Sequence, residues 1–239
     1  MPRYLTFAFL IIAIFLAFQN QSISPIQDYM LRLKNFLAPF TTSAASNMVH
    51  SKPAPAPTVQ TAIKEKESLT AGEGVETAVF ANGCFWGTEH LFKVYYGDLP
   101  KFSAVSGYTG GHANNPTYRE VCSGNTGHAE SVKVTWQTGS VGYGELVEFF
   151  FRTHDPTTVD RQGPDRGSQY RSALFYTTPE QKEIAEKVTA EVQEKHLKGR
   201  TIVTQLAPLG KWHDAEGYHQ NYLFDNPSGY QCPTHRMYW

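Results

Sequence analysis

The chain has 239 residues, a formal net charge of −1 and three cysteines. That length is ample for one hydrophobic core and sets a limit of about one or two domains. Without long Lys/Arg blocks the chain lacks the footprint of a nucleic-acid binder, and Cys84, Cys122 and Cys232 are too few and too far apart for a disulfide framework or a C-x-x-C zinc site.

Residues 4–18 form an uncharged run, mostly Phe, Leu, Ile and Ala, with Arg3 before it and Gln19-Asn20-Gln21 after it. The run is shorter than the roughly 20 residues of a bilayer span and suits a signal-peptide core or a short anchor. No clear small-x-small cleavage site follows, so an uncleaved membrane attachment stays open, with the remainder on the lumenal side. Residues 43–71, centred on Pro53-Ala54-Pro55-Ala56-Pro57, hold too little apolar surface to fold alone. The expected organisation is a hydrophobic signal or anchor segment over 1–20, a largely disordered Pro/Ala/Ser-rich linker over 21–75 and one folded domain over 76–239. Localisation stays open between the secretory pathway, a membrane-anchored form, mitochondria and, with a start at Met48, the cytoplasm.

From Glu76 onward the periodicities alternate. Residues 77–81 read as a strand, 84–95 as a helix and 102–108 as a second strand. Residues 129–136 read as a third, with Ser131, Lys133 and Thr135 alternating against Val132, Val134 and Trp136. Residues 143–153 read as a helix and 170–176 as a fourth strand. The order β-α-β-β-α-β is the split βαβ core of an α+β, ferredoxin-like sandwich. Residues 179–197 form a charged amphipathic helix with Thr178 as N-cap and Pro179 at its first position, expected on the helical face of the sheet. Residues 201–205 read as one more strand, for which an edge position is open. Two long loops, 107–127 and 155–169, are rich in Gly, Asn, Pro, Asp and Arg, and such loops on a rigid sheet concentrate functional groups. A coil-rich tail closes the chain.

Gly83-Cys84-Phe85-Trp86-Gly87 puts a thiol between a strand and a helix. The unpaired N–H groups and positive dipole of a helix start favour a thiolate there, by about 0.3–1 kcal/mol against about 1.36 kcal/mol for one pKa unit. The helix end alone therefore activates Cys84 only in part, and a free cysteine is as often a small buried hydrophobe.

Seven fragments in order carry a family resemblance: Gly83-Cys-Phe-Trp-Gly87, Gly107-Tyr-Thr-Gly-Gly111, Pro116-Thr-Tyr-Arg-Glu-Val-Cys-Ser-Gly124, Gly127-His-Ala-Glu130, His154-Asp-Pro-Thr157, Arg161-Gln-Gly163 and Gln169-Tyr-Arg-Ser172. Together they resemble peptide methionine sulfoxide reductase of the A type over roughly residues 79–239. The resemblance implies reduction of free or protein-bound methionine S-sulfoxide through a cysteine sulfenic acid and then a disulfide. It implies no bound cofactor or metal, thioredoxin (or dithiothreitol in vitro) as external reductant, oxidised proteins and peptides as substrates, and a monomer.

The family's nucleophile falls on Cys84, its acid on Glu130 and its oxygen-binding hydroxyls on Tyr118 and Tyr170. Its aromatic wall for the substrate methyl falls on Phe85 and Trp86, and Asp165 matches an acidic residue near the substrate backbone. His219 matches a motif bordering the site, with no chemical step assigned. A sulfoxide oxygen leaves only after gaining protons, so Glu130 must be neutral near pH 7, as burial among aromatics would make it. Cys232, in the turn-rich Gly229-Tyr-Gln-Cys-Pro233, is the candidate resolving thiol on grounds of mobility, whereas Cys122 is expected to be buried. Nothing after Cys232 can pass a disulfide onward.

Other readings stay open on the residues alone. His128-Ala129-Glu130 has the H-x-E form of zinc deaminases but lacks their Pro-Cys-x-x-Cys. A cysteine hydrolase could pair Cys84 with His90, His112 or His128. A noncatalytic module could bind peptides in the aromatic pocket.

Overall fold

The computed structural model describes residues 52–239. In chain order these fold as α1 (Gln60–Ser68), β1 (Val75–Asn82), α2 (Phe85–Tyr96), β2 (Ser103–Thr109), α3 (Tyr118–Cys122), β3 (Ala129–Gln137), α4 (Tyr143–Arg152), the short strands β4 (Arg161–Gln162) and β5 (Asp165–Arg166), β6 (Ser172–Tyr176), α5 (Pro179–His196), β7 (Gln205–Pro208), β8 (His213–Asp214) and α6 (Tyr222–Asp225). The apolar run at 4–18 lies outside them. Among the described residues no helix is long and apolar enough to cross a membrane.

The six-stranded sheet has the order β7-β6-β1-β3-β2-β8. Its middle, β6-β1-β3-β2, is antiparallel throughout and is the split βαβ core read from the sequence. The added strand is at an edge, parallel to β6, but pairs from Gln205 onward. Val203 is diverted because its N–H donates to Pro156 O. The tiny β8 beside β2 and the β4–β5 hairpin inside the 155–169 loop carry too few residues for any periodicity.

Alternation divides the sheet's two faces. Ala78, Phe80, Val132, Val134, Trp136 and Leu174 join Phe92, Leu146, Phe150, Ala185 and Val188 from the helices in one core, with Phe80 centred 4.8 Å from Phe92 and 5.9 Å from Phe150. Val79, Ala81, Ala129, Ala173 and Phe175 form a smaller cluster on the other face, under Leu209 and Trp212. Helix α5 begins as its sequence dictates, the Thr178 hydroxyl accepting from Gln181 N–H at 3.2 Å.

The linker expectation fails from Lys52 onward. Lys52 N–H donates to Val94 O, Arg152 Nη2 donates to Ala56 O, and α1 packs against the domain with Ala62 wholly buried. Glu65 accepts from the N–H groups of Tyr143 and Gly144, closing the open start of α4. Composition misleads here because the segment adds Val59, Ala62 and several polar anchors to a core made mostly by others.

The strongest anchor is Glu148, which accepts from Thr58 N–H and Oγ1 and from Arg152 at 2.6 Å, both charges being almost fully buried. Burial opposes ionisation of Glu148, but Thr58 and Arg152 outweigh it and hold the carboxyl below its usual range. Removing one partner strands a buried charge. Arg152→Ala is expected to lower folding stability by roughly 3–5 kcal/mol in chemical denaturation, with the circular dichroism of the native state unchanged.

Candidate active site

Strand β1 ends at Asn82, and Gly83 then turns the chain with φ of +102°, a left-handed conformation suited to glycine. Cys84 becomes the N-cap of α2 and is 7% exposed. The N–H groups of Trp86 and Gly87 point at its sulfur. Glu130 stands on β3, the strand beside β1, and alternation puts it on the helix-covered face with Val132. Its Oε2 accepts from Phe85 N–H at 3.1 Å. Thiol and carboxyl therefore share the first turn of one helix.

Burial dominates the electrostatics. It pushes the Cys84 thiol well above its ordinary value, Glu130 adds to this, and the two helix N–H groups oppose it without prevailing. Burial likewise lifts Glu130 to about 8, against the Phe85 N–H and with help from Asp165. The helix end thus does not by itself yield a thiolate, and at pH 7 both groups hold their protons.

Tyr118 opens α3, where Thr117 and Glu120 form a capping box. Its N–H donates to Glu216 Oε1 at 2.8 Å while the Tyr108 hydroxyl donates to Glu216 Oε2 at 2.8 Å. The Tyr118 ring stacks on Phe85, centroids 6.4 Å apart. Tyr170 ends the turn Ser168–Tyr170 after the β4–β5 hairpin. Burial raises both hydroxyls, and Glu130 raises them further, so both remain proton donors at neutral pH.

Phe85 and Trp86 form a fixed aromatic wall. Trp86 stacks on Tyr222 at 3.6 Å and 12°, and its Nε1–H donates to His219 Nδ1 at 3.0 Å. Because indole nitrogen only donates, His219 carries its proton on Nε2. The His219 ring lies 4.4 Å from Tyr118 and 4.9 Å from Phe85. Asp165, on β5, accepts from the Tyr230 hydroxyl at 2.7 Å and acts electrostatically on Cys84, Glu130, Tyr170 and Cys232.

The structure gathers Cys84, Phe85, Trp86, Tyr118, Glu130, Asp165 and Tyr170 into one site. Two expectations about the thiols need correction. Cys122 is not sequestered: it is half-buried and hydrogen-bonded to the Tyr118 hydroxyl, because α3 has only five residues and its last turn faces the same site as its first. Cys232 is not on a free tail: it is 3% exposed, with Sγ 3.5 Å from Gln162 O and 3.2 Å from Thr234 Oγ1. Among the described residues no cluster of three or more His, Cys, Asp or Glu side chains is arranged to hold a metal.

Residues 76–237 match the family model described as peptide methionine sulfoxide reductase. The chain belongs to that family. It is 48% identical to a probable peptide methionine sulfoxide reductase of Schizosaccharomyces pombe, over 69% of this chain and 98% of the relative. The reduced form of Mxr1 from Saccharomyces cerevisiae is similar with a TM-score of 0.65 and 38% identity, over 72% of this chain and 97% of that one. Methionine sulfoxide reductase A of Corynebacterium diphtheriae gives a TM-score of 0.58 and 36% identity, over 79% and 92%. The chain is accordingly an oxidoreductase that reduces methionine sulfoxide.

Within this reductase, sequence reading missed Glu216 and Tyr108. Glu216 fixes the backbone of Tyr118 from nearly a hundred residues away, a contact that no local pattern announces. Its neighbourhood is visible in the sequence only as the motif around His219, which Gln220 ties to β2 through Ser106. The hydrolase reading loses a partner, since both ring nitrogens of His128 engage loop backbone at Gly111 and Ala113.

Glu130 makes stability depend on pH with a definite sign. Its folded pKa, about 8, lies above the unfolded value, so its contribution is fully present below about 4.3, declines as pH rises and is lost by about 8. Glu130→Gln removes this loss. The variant is expected to melt at a higher temperature than the parent at pH 8–9, with the difference vanishing near pH 4, in calorimetry across that range.

Proposed function

We propose that residues 76–239 reduce the S epimer of free or protein-bound methionine sulfoxide, repairing oxidised proteins, with Cys84 as nucleophile and Glu130 as the acid. The observation that carries this reading is the Phe85 N–H to Glu130 Oε2 bond, which holds a neutral carboxyl beside the thiol. The substrate methyl lies against Phe85 and Trp86, and its oxygen faces Glu130, Tyr118 and Tyr170, with Asp165 beside the substrate backbone. Donors already fixed where charge develops need no reorganisation in the transition state. The Tyr118 hydroxyl turns from Cys122 to the substrate as the site fills.

Attack by the Cys84 sulfur forms an S–S bond as the oxygen is protonated, and passage of that oxygen to the Cys84 sulfur breaks both the sulfoxide S–O bond and the transient S–S bond, giving methionine and a Cys84 sulfenic acid. The substrate sulfur is reduced by two electrons and the cysteine sulfur is oxidised by two. The proton given by Glu130 is replaced by that of the thiol, so the net change is one thiol and one sulfoxide to one sulfenic acid and one thioether. Cys232 then condenses with the sulfenic acid, releasing water and leaving a disulfide. Thioredoxin, or dithiothreitol in vitro, returns two electrons from outside, and no cofactor is held.

The test is incubation with each epimer of a methionine sulfoxide peptide. Reduction of the S epimer alone is expected, and loss of the R epimer alone would overturn the assignment. Glu130→Gln is expected to slow the chemical step by roughly 10²–10⁴-fold with substrate binding retained. In Cys232→Ser one methionine per enzyme should form before arrest with thioredoxin, with partial rescue by a small thiol. Sustained thioredoxin-driven turnover would remove Cys232 from the cycle.

A further inference from the structure

The C-terminal eight residues do more than carry a thiol. Three residues after Cys232, the His235 ring turns back onto the loop that presents Cys84. Its Nε2–H donates to Asn82 O at 2.8 Å, which leaves Nδ1 as the unprotonated nitrogen, buried and without a hydrogen-bond partner. The ring lies directly over Gly87, where any Cβ would overlap it, and its Nε2 is near Gly83 as well. Its own N–H donates to Cys232 O at 3.0 Å, so the turn from 232 to 235 is closed on itself. Burial lowers its pKa, so the ring is neutral and its geometry does not depend on charge.

Other anchors lie further along the tail. Tyr238 N–H donates to Arg152 O at 2.9 Å, and Trp239 stacks on His196 at 4.4 Å and 8°. Upstream, α6 ends at Asp225. His235 is the anchor of this tail that touches the residues flanking Cys84 itself. Cys232 meanwhile rests on Gln162, whose side chain meets Gly83.

We propose that His235 is a positioning residue for the second half of the cycle: it pins the tail to the Cys84 turn so that Cys232 condenses with the Cys84 sulfenic acid. This rests on the reading of Cys84 as nucleophile and Cys232 as its resolving partner. In that step the Cys232 sulfur attacks Sγ of Cys84–S–OH, an S–S bond forms, the S–O bond breaks, and the thiol proton leaves with hydroxide as water. The first half of the cycle does not depend on this hook, since Cys84, Glu130, Tyr118 and Tyr170 stand at the start of α2, on β3, on α3 and in the turn Ser168–Tyr170, and the His235 ring bonds to none of them. Without the hook the tail is still held by Tyr230 on Asp165, by Cys232 on Gln162 and by Tyr238, but no longer by a bond to the loop that presents Cys84, and the effective concentration of the thiol at Cys84 falls. The same contact gives a reason for glycine at position 87.

The test is single turnover of the full chain with a methionine S-sulfoxide peptide and no reductant, following methionine release, free thiols and dimedone-trapped sulfenic acid. In His235→Ala one methionine per enzyme is expected, with disulfide formation slowed roughly tenfold or more and sulfenic acid trappable. His235→Gln, whose amide can still donate to Asn82 O, is expected to recover much of the rate, which a general loss of stability would not allow. Disulfide formation at the parent rate in His235→Ala would overturn the proposal. Cys232→Ser, run in parallel, separates the two claims: a disulfide there would mean that Cys122 resolves and that the underlying reading fails.

Discussion

One hydrogen bond organises the site: the N–H of Phe85, first residue of α2, donates to the carboxyl of Glu130. The helix start has unpaired N–H groups that need acceptors, and Glu130 supplies one from a neighbouring strand. That contact holds the acid next to Cys84, the N-cap of the same helix. Burial then sets the protonation of both. An exposed carboxylate would give up its proton far below neutral pH, whereas this one keeps it to about 8. The fold thus holds an acid in its neutral form at a cost to its own stability.

The surrounding structure makes that contact reproducible. Glu130 lies on β3, flanked by β1 and β2, and its position is dictated by the same alternation that buries Val132, Val134 and Trp136. Cys84 is placed by the end of β1 and the left-handed turn at Gly83. Loop and tail residues only complete the cup: Glu216 fixes Tyr118, His219 and Tyr222 fix Trp86, and Asp165 faces inward from a two-residue strand. Rigid elements carry the thiol and the carboxyl, and α3, the loops and the tail supply most of the residues around them.

Much of this was legible because it is local. The period-two pattern of residues 129–136, the Thr178 cap and the thiol at a strand-to-helix turn are short-range signals, and the structure bears each of them out. What escaped depends on distant partners. Residues 52–68 look unfoldable by composition, yet Thr58 and Glu65 answer needs created by Glu148 and by the start of α4. The turn-rich stretch before Cys232 reads as mobile, yet that thiol rests against Gln162 and the tail is pinned at His235. Composition reports what a segment can bury by itself and is silent about what it can hold for others.

The proton on Glu130 sets the chemistry of the site, and its titration is open to direct observation. Carbon-13 NMR of chain labelled at the glutamate side-chain carboxyl, with Glu130→Gln to identify the resonance, follows this group from pH 5 to 10 in the resting protein. The expected result is a neutral carboxyl at pH 7 that titrates near 8. A resonance already that of a carboxylate at pH 6 would contradict it.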